Sequence, residues 1–478
     1  MNQTEASVAP DFPPEPQPID EGSVESRHDE DDRLKPEYVS AVRDAVDEDD
    51  AERARELVSP LHPADIADLI ELTPTEERAD VVAALGDLVG AEVLSELNDY
   101  VRDELIEALR PEQLAELASE LDTDDAVAII EDMEEADQQA VLDAMEPEDR
   151  AAIESALSYP EESAGRLMQR DLVAVPPHMN VGQVIDYLRD NHALPADFWE
   201  IFVVDEAHRP IGTCQLSWVL TCPRSIPITD VMQREQTLIP VDMDQEEVAL
   251  RFQKYALISA AVVDGAGRLV GMITADDILH IVQEEAGEDI LRLSGAGDGD
   301  INEPILESYK GRVRWLLSNL VTALVASTII GIFEGTIQQM VALATLMPIV
   351  AGVGGNAGSQ TMAVTVRALA TNQITASNRL RTVLREIRVA LLNGATVAAV
   401  IGVGVTLVFG NMALGGVIAA AMLTNIVTAG VAGAAIPLTL DRFDADPAVA
   451  SSIFVTMITD SMGFLAFLGL ATAAGLTG

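Results

Sequence analysis

The sequence predicts a multidomain membrane protein. It has an all-α superhelical N-terminal domain, an α+β tandem repeat, a linking helix and a five-helix α transmembrane domain. Three observations carry this reading. Residues 1–300 hold 71 Asp+Glu against 20 Lys+Arg, whereas residues 301–478 hold 8 against 9. The second part contains charge-free runs long enough to cross a bilayer. A block between residues 166 and 284 occurs twice. A formal net charge of −50 alongside 48% hydrophobic residues follows once charge and apolar surface are segregated along the chain.

Residues 1–36 are rich in Pro, Asp and Glu and poor in apolar side chains, so a disordered acidic tail is expected. In residues 37–160 apolar residues recur at three- and four-residue spacing, as in Ile66-Ala67-Leu69-Ile70 and Leu114-Leu117-Leu121. Pro74, Pro111 and Pro147 punctuate these units where helices are expected to start. The pattern is that of a small, irregular α-solenoid. Only Lys35, Lys254 and Lys310 are lysines. An acid-rich, lysine-poor surface suits solubility in high salt and suggests a halophilic source. Most acids of this domain therefore read as solvated surface. Such acidity excludes a general nucleic-acid binder. Cys214 and Cys222 have no metal-ligand spacing and form no disulfide scaffold.

Residues 161–275 contain the repeat, with copies at about 166–222 and 229–284. Phe202-Val-Val-Asp205 with Pro210-Ile-Gly212 matches Ala261-Val-Val-Asp264 with Leu269-Val-Gly271. Upstream, Leu167-Met168 matches Val231-Met232. Each copy reads as an extended segment, a helix, a β-hairpin and a helix. A linking helix is expected from Asp276 to Leu293, followed by a Gly/Asp-rich hinge and a segment reaching residue 310.

The remainder, 311–478, reads as five spans near 313–333, 337–366, 386–409, 415–439 and 448–474. Lys310, Arg312 and Arg314 precede the first, and Arg367, Arg379, Arg381, Arg385 and Arg388 lie between the second and third. The positive-inside rule then places the N-terminal domains in the cytoplasm and the C-terminus outside. Asp460 sits near the middle of span 5, where a carboxylate costs about 2.5–3.5 kcal/mol and needs a partner or a wet path. No intramembrane Lys or Arg can pair with it; a cation is the simplest partner, and local Ser/Thr hydrogen bonding is the competing explanation. Span 2 carries Pro348-Ile-Val-Ala-Gly-Val-Gly-Gly-Asn-Ala-Gly-Ser-Gln360. Pro and Gly are expected to break this helix and free carbonyls, which hard cations use as ligands. Tight helix crossing on small residues is the competing reading.

The repeat resembles a tandem CBS pair, a regulatory module. In such modules Gly-x-x-Ser/Thr-x-x-Asp contacts an adenosine nucleotide. The second copy keeps the pattern as Gly271, Thr274 and Asp277, and the resemblance implies ATP or a similar ligand there. The first copy departs from it, with Gly212, Gln215 and Trp218 at those places. The whole order resembles the MgtE family of magnesium channels and transporters. The span 2 motif, Tyr159-Pro-Glu-Glu-Ser-Ala-Gly-Arg-Leu-Met168, and Asp446-Pro447-Ala448 opening span 5 carry the likeness.

The resemblance implies a homodimer in the lipid bilayer of the cell membrane, with a pore lined by spans 2 and 5. It implies Mg2+ as both cargo and regulator. The pore residues it carries over are Asp460, Asn356 and the carbonyls near Gly352 and Gly355. Regulatory Mg2+ would bind Glu285, Glu288 and Asp289 of the linking (plug) helix and Asp446, and close the pore. Asp446 before Pro447 is also a plain helix N-cap. The expected activity is passive Mg2+ import with feedback closure, and not enzymatic; no Gly-x-x-x-x-Gly-Lys-Ser/Thr loop is present. Transport of Mn2+ or Co2+, and a non-transporting Mg2+ or nucleotide sensor, are the alternatives.

Overall fold

A computed structural model describes residues 27–475 except 32, 132, 192–193, 196–197, 296–298, 300–301, 376 and 444, and omits the side chains of Asp289 and Ala450. The chain divides into two compact units, Met1–Ile278 and Leu279–Gly478. Each is taken by itself.

Among the described residues, the first unit carries ten short helices ahead of the repeat: α1 Pro36–Asp47, α2 Ala51–Val58, α3 Pro63–Glu71, α4 Thr75–Leu85, α5 Ala91–Glu96, α6 Asp99–Ile106, α7 Pro111–Ala118, α8 Thr123–Ile130, α9 Glu135–Ala144 and α10 Pro147–Leu157. Helices this short are marginal alone, so packing must hold them. Val42, Leu69, Ile70, Leu85, Val101 and Ile130 lie at the core of one continuous cluster. Pro111 and Pro147 occupy first-turn positions as expected, and Pro74 caps α4. Asp50 and Asn98 cap α2 and α6, accepting from the backbone N–H of Arg53 and Val101. The acidic tail was expected to lack structure through residue 36. Its described part, from residue 27, is instead folded: Leu34 is buried in the helical core, and His28 Nε2 lies 3.1 Å from Asp65 Oδ1. Residues 1–26 lie outside the described residues.

The repeat forms two three-stranded sheets, β1 Val173–Val175, β2 Glu200–Val204 and β3 Pro210–Gln215, then β4 Leu238–Pro240, β5 Ser259–Val263 and β6 Leu269–Thr274. In each, the first strand runs parallel to the second and the second antiparallel to the third. The helices are α11 Val181–Asp190, α12 Leu216–Thr221, α13 Ile228–Val231, α14 Gln245–Tyr255 and α15 Ala275–Ser294. The copies exchange their leading segments. Gln169 pairs with Met272 and Gln233 with Thr213 through two backbone hydrogen bonds each, at 2.8–3.0 Å. Gly271 and Gly212 permit this approach: a Cβ at Gly271 would lie 2.8 Å from the Gln169 carbonyl oxygen, and one at Gly212 2.9 Å from that of Gln233.

The second unit contains α16 Ile305–Ile332, α17 Glu334–Gln339, α18 Ala342–Ala370, α19 Arg379–Phe409, α20 Met412–Arg442 and α21 Pro447–Ala473. By length and composition α16, α19, α20 and α21 can each cross a membrane. The fifth expected span, α18, is equally long but carries the Gly/Asn/Gln motif. Helix α19 begins at residue 379, so Arg379, Arg381, Arg385 and Arg388, expected between the second and third spans, lie on its first turns. The α19–α20 turn is only Gly410, at φ +64°, and Asn411, whose Oδ1 caps Leu414 N–H at 3.0 Å.

The expected break in span 2 does not occur: α18 runs continuously through Pro348 and the glycines. The competing reading, close helix crossing, holds for two of them. A Cβ at Gly354 would lie 2.0 Å from Asn425 Nδ2, and one at Gly358 2.6 Å from Val455 Cγ1. Gly433 meets α18 in the same way, at 2.6 Å from the Gly358 carbonyl oxygen. Packing with α20 and α21 holds the helix together where Pro removes a bond. Gly358→Val is expected to cost about 1–3 kcal/mol by overpacking. Gly355→Ala, whose Cβ meets nothing within 4 Å, is expected to be neutral in stability. Thermal unfolding of the detergent-solubilised protein compares the two; equal effects would contradict this crossing.

Candidate functional site

The glycine motif gives α18 two different faces. At about 100° per residue, Met347, Val350, Gly354, Gly358 and Met362 form one side, and all are buried. Gly352, Gly355, Asn356 and Ser359 fall on the other, within about 100° of arc. Gly352, Asn356 and Ser359 are exposed, Gly355 is half-exposed, and Cβ atoms at Gly352 and Gly355 would meet nothing. The structure therefore places the three residues expected on α18 together, on a face that the described residues of the chain leave open.

Asp460 lies on α21, half-buried, one residue beyond the crossing with α18. The Thr459 side chain contacts the space at Gly358, with Cγ2 3.3 Å from the Cβ position. Among the described residues nothing hydrogen-bonds or pairs with Asp460. The neighbouring Thr459 hydroxyl donates to the Thr456 carbonyl at 3.1 Å, and Ser461 Oγ is buried without a partner. The Ser/Thr hydrogen bonding that would make Asp460 structural is thus not formed. A carboxylate one residue from the α18–α21 crossing, with no partner among the described residues, can accept the water-mediated hydrogen bonds of a hydrated cation.

Asn425 was not anticipated. It is fully buried on α20, its Nδ2 donates to the Val350 carbonyl at 2.9 Å, and its Oδ1 has no partner. It also fills the space at Gly463 of α21. One amide thus ties three helices together around the site. Its signal in the sequence was the same as that of Asp460, a polar residue inside an apolar span.

At the foot of α21, Asp446 caps the helix: its Oδ1 accepts from Ala448 N–H at 2.7 Å. Its Oδ2 accepts from Arg292 of α15 at 2.9 Å, and the Arg292 guanidinium also pairs with Glu288. Two of the expected regulatory acids are therefore brought together, by an arginine that sequence reasoning passed over. Glu285 lies half-exposed on α15, and the Asp289 side chain lies outside the described residues.

In the first unit Asp277 Oδ2 accepts from the Thr274 hydroxyl at 2.6 Å. Burial pushes the Asp277 carboxyl up to about 6 against the pull of that hydrogen bond, and the Asp276 charge adds to the rise. Asp124, at the start of α8, is raised well above the usual carboxylate range by burial and by the Asp277 charge. Its Oδ1 is buried and has no hydrogen-bond partner among the described residues. Gly271, expected at a nucleotide, has its Cβ space occupied by Met168 and Gln169, so its first role is packing. Among the described residues no three His, Cys, Asp or Glu side chains converge as a metal cage. The Asp124–Asp277 pair, with its orphaned oxygen, suits a divalent cation that keeps most of its water.

Residues 347–470 match a family described as MgtE, divalent cation transporter. Residues 61–162 match the MgtE intracellular N domain, and 164–214 and 228–284 match CBS domains. The magnesium transporter MgtE of Bacillus subtilis is 30% identical over 320 residues, covering 66% of this chain and 70% of the relative. That of Thermus thermophilus is 33% identical over 316 residues, with the same coverage. Among solved structures, the cytosolic domain of the Mg2+ channel MgtE in complex with ATP is 32% identical, with a TM-score of 0.47, over 51% of this chain and 99% of that one.

Because both carboxyls titrate above their unfolded value, folding takes up protons. Asp277 weakens the first unit at neutral pH and ceases to do so as pH falls through about 6 toward the unfolded carboxylate range, and Asp124 acts in the same direction. Asp277→Asn should stabilise the Mg2+-free protein at pH 7.5 by on the order of 1–3 kcal/mol. It should also flatten the pH dependence and reduce stabilisation by added Mg2+. Thermal unfolding at pH 4.5 and 7.5, with and without Mg2+, measures all three.

Proposed function

The chain belongs to the MgtE family of divalent cation transporters, and from that premise we propose that it carries Mg2+ across a membrane along the open face of α18. It is a transporter and not an enzyme. The observation that carries the proposal is Asp460, an unpartnered carboxylate in a half of the chain with 8 acids among 178 residues, beside the crossing of α18 and α21. A non-transporting sensor would require neither this carboxylate nor an open face of small residues next to it.

In this reading the path is built between two copies of the chain. The face with Gly352, Gly355, Asn356 and Ser359 is left open by one protomer, and a second copy facing it would enclose a channel. Asp460 would then occur once per subunit. Two such carboxylates hold a hydrated Mg2+ through its water molecules. The few fixed ligands let the ion leave, as conduction requires. The basic residues at the ends of α16 and α19 favour cytoplasmic N-terminal domains and an external C-terminus.

Closure by internal Mg2+ is the regulatory part of the proposal. Asp124 with Asp277, and Glu288 with Asp446, are acid pairs whose repulsion a divalent cation relieves. Arg292 already supplies a fixed positive charge at the second pair. Mg2+ there would act with Glu285 and Asp289 on the same helix. An adenosine nucleotide at Thr274 and Asp277 is a second ligand for the CBS pair, supported by their spacing alone.

Two experiments follow. In cells lacking Mg2+ uptake, the wild type should restore growth at limiting Mg2+ and Asp460→Ala should not; full rescue by the variant would remove Asp460 from the path. In patch recordings, Glu288→Ala with Asp289→Ala should require several-fold more internal Mg2+ to close the pore, and unchanged closure would contradict the regulatory assignment.

A further inference from the structure

We propose that the N-terminal turns of α19 form a binding site for one phospholipid with an anionic phosphate headgroup. Arg381, Arg385 and Arg388 are spaced four and three residues apart, so one side of the helix carries all three guanidiniums. With Asn378 and Thr382 they line a cavity of about 350 Å³. Arg379 pairs with Asp441, and Arg385 with the buried Glu386. Arg381 and Arg388 have no carboxylate partner among the described residues. The pocket therefore presents three guanidiniums against one carboxylate. Guanidinium forks match the paired oxygens of a phosphate diester.

Membrane topology accounts for basic residues at this end of the helix, but not for their convergence on one cavity or for what adjoins it. Arg385 also lines a second cleft, of about 210 Å³, whose wall includes Ala357, Val364, Val389 and Ile426 beside the polar Gln360, Thr361, Glu386 and Asn393. Leu384, between Arg381 and Arg385, and Leu391 and Leu392 on the following turn of α19 are exposed. A cationic pocket that shares a wall with a mixed, mainly apolar cleft, on a helix with an apolar outer surface, reproduces the order of a phospholipid: phosphate first, then acyl chain. Basic pockets between membrane helices hold anionic headgroups in this way. A free phosphate would use only the first cavity, whereas a lipid uses both.

Native mass spectrometry of the full chain in detergent tests this, with phosphatidylglycerol and phosphatidylcholine of identical acyl chains. The wild type should retain phosphatidylglycerol about tenfold better. Arg381→Gln with Arg388→Gln should lose that preference, and Arg312→Gln with Arg314→Gln, outside the pocket, should keep it. Val389→Trp fills the cleft without removing a charge and should also lower retention. Millimolar inorganic phosphate should not displace the lipid. Equal retention by the wild type and the Arg381/Arg388 variant would overturn the proposal. So would equal loss in the Arg312/Arg314 control, no effect of Val389→Trp, or displacement by phosphate.

Discussion

A carboxylate inside an apolar layer is stable only if something compensates its charge, and the membrane half of this chain is organised around that constraint. Asp460 lies on a helix with no other charged residue after Pro447, and no side chain among those described takes up its negative charge. What the fold supplies near it is the crossing of α21 with α18, a helix whose other face is left open. That face exists because the opposite face is packed tightly. Gly354 and Gly358 let α20 and α21 approach, Asn425 locks the three helices with one amide, and Gly433 brings α20 against the α18 backbone. The glycines of a single motif thus divide into two groups, one for contact and one for access.

The acidic half meets the same constraint in a milder form. Most of its carboxylates are solvated and cost little. Asp124 and Asp277 differ because burial raises both and the Asp277 charge adds to the cost of ionising Asp124. Glu288 and Asp446 are held by Arg292. A divalent cation can act on such pairs where it cannot act on isolated surface acids, which separates regulation from solubility in a chain with 79 acids.

Domain order, the repeat and the apolar spans were legible because each is written in periodicity or composition. Asp460 was legible because charge is so sparse around it. The continuity of α18 was not, since Pro348 and four nearby glycines argue locally for a break and only packing with other helices overrides them. Gly271 was read as a ligand contact because its motif fits; that Met168 and Gln169 fill its space is a long-range fact. Arg292 and Asp124 were hidden among many charges whose partners depend on the fold. The start of α19 at residue 379 was missed because basic residues resemble a loop when judged by hydropathy, although Arg is a good helix former.

The central claim is that Asp460 holds the transported ion through its hydration shell. Anomalous diffraction from the full chain with Mn2+ in place of Mg2+ tests it most directly. The account predicts an ion between symmetry-related Asp460 carboxylates, beside the face bearing Gly352, Gly355 and Asn356, with water between metal and protein. An ion bound elsewhere along the helices, with Asp460 hydrogen-bonded to its own Thr and Ser neighbours, would contradict it.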